Sequence, residues 1–213
     1  ATPLCSKRKM SRKVISMPVL GRPRAFDRDA ALQAAMEVFW RQGFLATSMN
    51  DLCAAMGIRS PSLYAAFGSK EALYAEAIGR YSAAADEMIW NHVDGSATVR
   101  EGMQTALLAA AGIVAGREGM PSGCMVTLAT GEECPGGSPD TARHAREGSL
   151  AKLRAGLQRA VAAGEVPQST NIDRLARFYL GVVQGMAIQG RDGADLADLE
   201  DMARTAMAAW PEK

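Results

Sequence analysis

The chain has 213 residues, 48% of them hydrophobic and 22% charged, a balance that excludes wholesale disorder, and no apolar run is long enough for a membrane-spanning helix. Aromatic residues are only 6% while Ala and Met are abundant, which favours helices over a sheet and predicts an all-α fold of one large domain or two small ones. The net charge of +1 hides a segregation: residues 1–24 carry seven basic and no acidic side chains, leaving 17 basic against 23 acidic residues in the rest. A basic arm on an acidic body suits a polyanion on one side and repels it elsewhere. No apolar stretch follows the basic residues, so the arm is not a secretory signal and a cytoplasmic chain is expected. Cys5, Cys53, Cys124 and Cys134 lack C-x-x-C spacing, and His92 and His144 stand far apart, so neither a disulfide scaffold nor a metal site is expected.

In chain order, the first helix begins at Asp27, which can cap it. Leu32, Ala35, Met36 and Phe39 form one apolar stripe, and Gly43 can end it. Thr47 or Ser48 is placed to cap a second helix whose Met49, Leu52, Cys53 and Met56 follow the i, i+3, i+4, i+7 pattern before Gly57 supplies a permissive turn. A third begins at Ser60-Pro61, a capping hydroxyl followed by proline at the first helical position, and runs to Gly68. It is expected to bury Leu63 and Phe67 and to leave Ser62 and Tyr64 outside. Ser69 caps a longer helix ending near Asp94-Gly95, with Leu73, Ala77, Ala84 and Met88 as one possible buried stripe. Further helices are expected near 97–116, 122–130, 139–163, 171–190 and 194–210, separated by Gly/Pro signals.

The second and third helices make a helix-turn-helix over 48–67, whose second helix can enter a major groove. Such a helix must offer small or hydrogen-bonding side chains, because a bulky apolar surface would hold it off the base edges. Arg59, Ser60, Pro61, Ser62 and Tyr64 meet that need. Thr47, Ser48 and Lys70 sit at helix starts, where unpaired N–H groups and the dipole favour an anion, and are expected to clamp phosphates. Arg22 and Arg24 are placed to reach the backbone or the adjacent minor groove as an arm. Each has a plainer reading: Thr47, Ser60 and Ser69 are good caps in any protein, Tyr64 can cover a core edge, and Lys70 can pair with a carboxylate.

The runs GRPRAFDRDAALQAAMEVFWRQGF and TSMNDLCAAMGIRSPSLYAAFGSKEALY resemble the N-terminal DNA-binding domain of the TetR/AcrR family of bacterial transcriptional regulators, over about residues 21–81. The resemblance implies a homodimer, an operator with related half-sites, and a C-terminal helical domain that binds a small effector and releases DNA. The expected organisation is a basic arm over 1–24, a helix-turn-helix domain over 25–70, and an effector-binding and dimerisation domain over 71–213. Ala65 and Ala66 depart from the larger or basic residues of many relatives, which leaves the contacts there open.

In the C-terminal part, helices 171–190 and 194–210 flank Arg191-Asp192-Gly193. Tyr179, Val182, Val183, Met186, Leu199, Met202 and Ala206 lie on their apolar faces and are the candidate dimer interface. An effector pocket is expected within 85–190, with Met88, Trp90, Met103, Cys124, Met125 and Phe178 as candidate walls. The segment GCMVTLAT around Cys124 resembles a helix in one branch of the family; its thiol is a candidate redox or electrophile sensor, with an inert buried thiol as the plainer reading. The competing readings are a helical small-molecule enzyme and a dimeric ligand-binding module without operator binding. The enzyme reading has no Gly-x-Ser-x-Gly elbow, phosphate loop or metal-ligand cluster behind it, and no cofactor is implied.

Overall fold

The computed structural model describes residues 26–116, 120–129 and 138–212. The elements are α1 (Arg28–Ala46), α2 (Met49–Met56), α3 (Ser60–Phe67), α4 (Lys70–Ala85), a π turn (Asp86–Trp90), α5 (Asn91–Gly95), α6 (Val99–Val114), α7 (Met125–Leu128), α8 (Ser138–Ala162), α9 (Ile172–Arg191), α10 (Leu196–Ala206) and a 3-10 turn (Met207–Ala209). The fold is all-α, as the composition predicts. The basic arm with Arg22 and Arg24, and also Cys5 and Cys134, lie outside the described residues.

The N-terminal head is built from α1 to α4. The Asp27 carboxylate accepts from the Asp29 and Ala30 N–H groups, and Gly43, at φ 79°, breaks the helical path three residues before α1 ends. Leu32, Ala35, Met36, Phe39, Leu52, Met56, Leu63, Phe67, Leu73, Tyr74, Ala77 and Ile78 are buried together in one cluster. Covering a side chain of the size of Leu63 or Phe67 contributes about 1.5–3 kcal/mol, enough to hold an eight-residue helix that would not persist alone. Phe39, Phe44 and Tyr74 form a ring cluster in this core. On its rim, Arg80 on α4 bonds both Asp29 and Gln33 on α1. The same cluster takes in Met125, Val126 and Ala129, so α7, although distant in sequence, packs as part of the head.

A second cluster fills the body, with Trp90, Met103, Leu107, Leu153, Leu157, Tyr179, Met186, Leu199 and Trp210 among its members. Helices α6 and α9 meet closely at Gly190, where a Cβ would lie 2.4 Å from the Val114 carbonyl oxygen. The residue there must therefore be glycine for the helices to keep this spacing.

Two expectations are corrected here. The stripe Leu73, Ala77, Ala84, Met88 holds only for its first two members, since Ala84 and Met88 are exposed and burial continues through Tyr81, Ile89, Trp90 and Val93. The reason is the π turn, in which the Asn91 N–H donates to the carbonyl of Asp86 five residues back. Steps of four residues drift by about 40° each on an ideal α-helix, and the wide turn absorbs part of that drift. The second correction concerns the apolar face of α9 and α10. Tyr179, Met186 and Leu199 are fully buried inside the protomer, and Val183 and Ala206 are buried beside them, so these five serve the core rather than a surface. Val182 and Met202 are half-buried beside the exposed Phe178, along a shallow groove between α9 and α10.

Candidate nucleic-acid interface

The Ser48 hydroxyl starts α2 by accepting from the Asp51 N–H at 3.1 Å, while the Asp51 carboxylate accepts from the Ser48 N–H at 2.8 Å. Gly57, left-handed at φ 64°, ends α2 and turns the chain toward α3. Arg59 occupies the cap position of α3, and Leu63 and Phe67 lock that helix onto the core. Pro61, Ser62, Tyr64 and Ala65 consequently form an exposed face, with the Tyr64 ring half exposed at 50%. Arg59 is exposed at the head of the same face and carries no ion pair among the described residues. A cation, a hydroxyl and a phenol are thus displayed on a short helix whose other side is fixed.

Two expected contacts change role. Thr47 is 1% exposed and its hydroxyl donates to the Gly43 carbonyl at 2.6 Å, so its side chain repairs the broken end of α1 and is unavailable to a phosphate. Ser60 does not cap α3; its hydroxyl lies 3.5 Å from the Cys53 thiol, on the inner side of the turn. Lys70, half-buried at the start of α4, folds its ammonium over the Phe44 ring at 4.3 Å, which fixes the charge beside the helix N-terminus. Ser48 remains exposed and Ser69 caps α4 through the Ala72 N–H.

Arg28, which local spacing in the sequence does not single out, is a positioning residue. Its guanidinium bonds Glu76 on α4 at 2.8 Å, donates to the Ala66 carbonyl in the last turn of α3, and lies 4.3 Å from the centre of the Phe67 ring. One side chain therefore ties the far end of α3 to both α1 and α4. Partners 38 to 48 residues away leave no mark in local spacing.

Below the head, a cavity of about 160 Å³ lies between α4, α6, α7, α8 and α9. Of the candidate wall residues, Trp90 and Cys124 line it. Met88 instead faces a separate groove with Trp40 and Met120, Met103 is sealed in the body core, Met125 belongs to the head cluster, and Phe178 lies on the outer surface. The Tyr81 hydroxyl, at the cavity wall, meets the Cys124 thiol and the Met125 backbone N–H; burial pushes that phenol well above its ordinary value.

The family profile described as bacterial regulatory proteins, tetR family, matches residues 31–77. The chain is 34% identical over 203 residues to the transcriptional repressor ComR of Escherichia coli K12, covering 90% of this chain and 92% of that protein. Among solved structures, it is similar to a cysteine mutant of the TetR family regulator CifR bound to a 26-base-pair operator, with 37% identity, a TM-score of 0.84, and coverage of 90% and 100% of the two chains. A TetR regulator from Rhodococcus sp. RHA1 is 34% identical, with a TM-score of 0.60 and coverage of 88% and 100%.

The capping box carries a pH prediction. The hydroxyl and backbone N–H of Ser48 hold the Asp51 carboxyl below its ordinary value in the folded state. The folded value being the lower, the resulting stabilisation is fully present above the unfolded value and lost as pH falls through the folded one. Denaturant titrations of the wild type and Asp51→Asn should show a stability gap at neutral pH that closes in strong acid; a gap of constant size across that range contradicts this role.

Proposed function

Because the chain belongs to the TetR family of bacterial regulatory proteins, we propose that it is a sequence-specific DNA-binding repressor, acting as a homodimer and released from its operator by a small molecule. The observation that carries this reading is the outer face of α3, where Arg59, Ser62 and Tyr64 stand free while Leu63 and Phe67 anchor the helix. Arg59 can bond a guanine edge or a phosphate, Ser62 either, and Tyr64 can combine ring contact with a phosphate hydrogen bond. The start of α2 at Ser48 and the start of α4 at Lys70 flank α3 and supply backbone grip. Arg22 and Arg24 are proposed, from their charge and place in the sequence, for further contacts to the backbone or the adjacent minor groove. Along the chain the head runs into α4, where Tyr81 is the last residue of that helix buried in its cluster, and α7 returns to it; the rest of the chain is assigned to the effector and dimer domain.

The relatives are regulators and the exposed polar groups suit a groove, so the chain is read as a binding protein and not an enzyme. Among the described residues no helix is long and apolar enough to cross a membrane. A protein that reads an operator works beside the chromosome, which places it in the cytoplasm.

Dimerisation is assigned to the outer surface of α9 and α10, where Phe178, Val182 and Met202 flank a groove and Leu196 and Ile188 are exposed nearby. A twofold pairing of these helices would bury them as a four-helix core. Reading successive major grooves requires the two α3 helices of such a dimer to stand roughly 34–36 Å apart. The cavity, whose wall α7 belongs to the head, supplies the ligand step. A ligand favouring one separation of the heads weakens DNA binding by its differential affinity.

Two measurements test this. After selection of bound fragments from the native genome, Arg59→Ala and Tyr64→Ala should each cost about 1–3 kcal/mol of specific binding in fluorescence anisotropy, while Lys70→Ala weakens all sequences alike and lowers the salt slope by about one. An unchanged ratio of specific to non-specific affinity in both α3 variants refutes the assignment. In sedimentation, Phe178→Glu with Met202→Glu should convert the dimer to monomer; a dimer of unaltered affinity refutes the proposed surface.

A further inference from the structure

From the lining of the cavity between α4, α7 and α8, we infer that the effector is a small monocarboxylate with a short apolar or aromatic body, held by Arg146 and Ser82. This inference rests on the ligand-release reading and specifies the chemistry of its ligand. A cavity of about 150 Å³ accommodates a benzene-sized molecule, and this one measures about 160 Å³. Most of its wall is apolar, with Ile89, Trp90, Val114, Leu180 and Val183 among its residues, so the body of the ligand must be apolar too.

The charged lining residues are Asp86, Arg146 and Lys152. Lys152 Nζ lies 2.6 Å from the Asp86 carboxylate, and that pair cancels. Arg146 is half-buried and spends one N–H on the Val126 carbonyl at 2.7 Å, with no carboxylate partner among the described residues. The wall therefore carries one uncompensated positive charge with further N–H groups to donate. Ser82 on α4 places a buried hydroxyl oxygen in the same lining with no hydrogen-bond partner. A buried hydroxyl left unpaired is costly, and a ligand oxygen would satisfy it. A carboxylate answers both features; an ammonium can donate to the Ser82 oxygen but is repelled by the guanidinium.

The geometry also links occupancy to the head. The Arg146 N–H that reaches Val126 holds α7, and Met125, Val126 and Ala129 of that segment pack in the head cluster. A carboxylate competing for the guanidinium loosens this tie, and α7 passes the change to α1 and α4.

The test uses the full chain with benzoate, benzyl alcohol and benzylamine, molecules of similar size and different charge, at constant ionic strength. Tryptophan emission, to which Trp90 in the wall contributes, reads binding, and anisotropy of a bound operator fragment reads release. Benzoate should bind saturably and about tenfold or more tighter than the alcohol, the amine least. Arg146→Gln should bring benzoate down to the level of the alcohol, Arg146→Lys should retain part of the preference, and Ser82→Ala should weaken benzoate and the alcohol together. Equal binding of alcohol and benzoate by the wild type overturns the inference, as does benzoate affinity unmoved by both Arg146→Gln and Ser82→Ala. Benzoate binding with no operator release keeps the ligand class and overturns the release reading. Operator binding with no benzoate binding overturns the ligand class and leaves the DNA reading standing.

Discussion

An eight-residue helix presented to DNA faces two demands at once: it is too short to be stable alone, yet any large apolar group on its outer face would hold it off the bases. Helix α3 meets both by placing its bulk on one side. Leu63 and Phe67 enter the head core, Arg28 fastens the last turn through the Ala66 carbonyl and the Phe67 ring, and the opposite face keeps only Pro61, Ser62, Tyr64 and Ala65. The rest of the head is arranged around that anchoring. Helices α1 and α4 supply the aromatic floor, and the ties from Arg28 and Arg80 set their spacing.

Much of this was legible in the sequence because it is local. Asp27, Ser48 and Gly57 act within three or four residues of themselves, and the split of α3 into Leu63 and Phe67 inside, Ser62 and Tyr64 outside, follows from helical period alone. What sequence could not give is which of two satisfactory partners a polar group takes. Thr47 and Ser60 each have a hydroxyl suited to a helix start, and in the fold each turns inward, to Gly43 and to Cys53. The same limit applies to α9, which is apolar on more than one side: periodicity marks Tyr179, Val182, Val183 and Met186 without saying which of them the protomer itself covers. Once α6 and α10 pack in, Tyr179, Val183 and Met186 are sealed, and Val182 is left beside the exposed Phe178. The π turn in the long connecting helix is a further case, because its wide step moves burial from Met88 to Ile89 and Trp90 in a way no uniform period anticipates.

The division between head and body is not the division of the sequence. Helix α7 comes after α6 in the chain and yet packs with the head, while its first residues form the wall of the cavity in the body. Tyr81 closes the same junction from α4 by meeting Cys124 and Met125. On the opposite side, Arg191 at the end of α9 bonds the carbonyls of Arg41 near the end of α1 and Ser122 just before α7. The two parts are thus joined by a few directional bonds around one small helix. The proposed ligand step requires this joint to have a second arrangement that alters the distance between heads with little change inside either part.

Operator reading by this head depends on α3 facing the bases. The most direct measurement replaces Tyr64 with a photoactivatable benzophenone residue in the dimer bound to its operator, and maps the cross-linked nucleotides. Cross-links to bases in the major groove of each half-site, with the same probe at Phe178 joining protein to protein, are the expected result. A probe at Tyr64 that never reaches DNA, while another surface of the protein does, would contradict it.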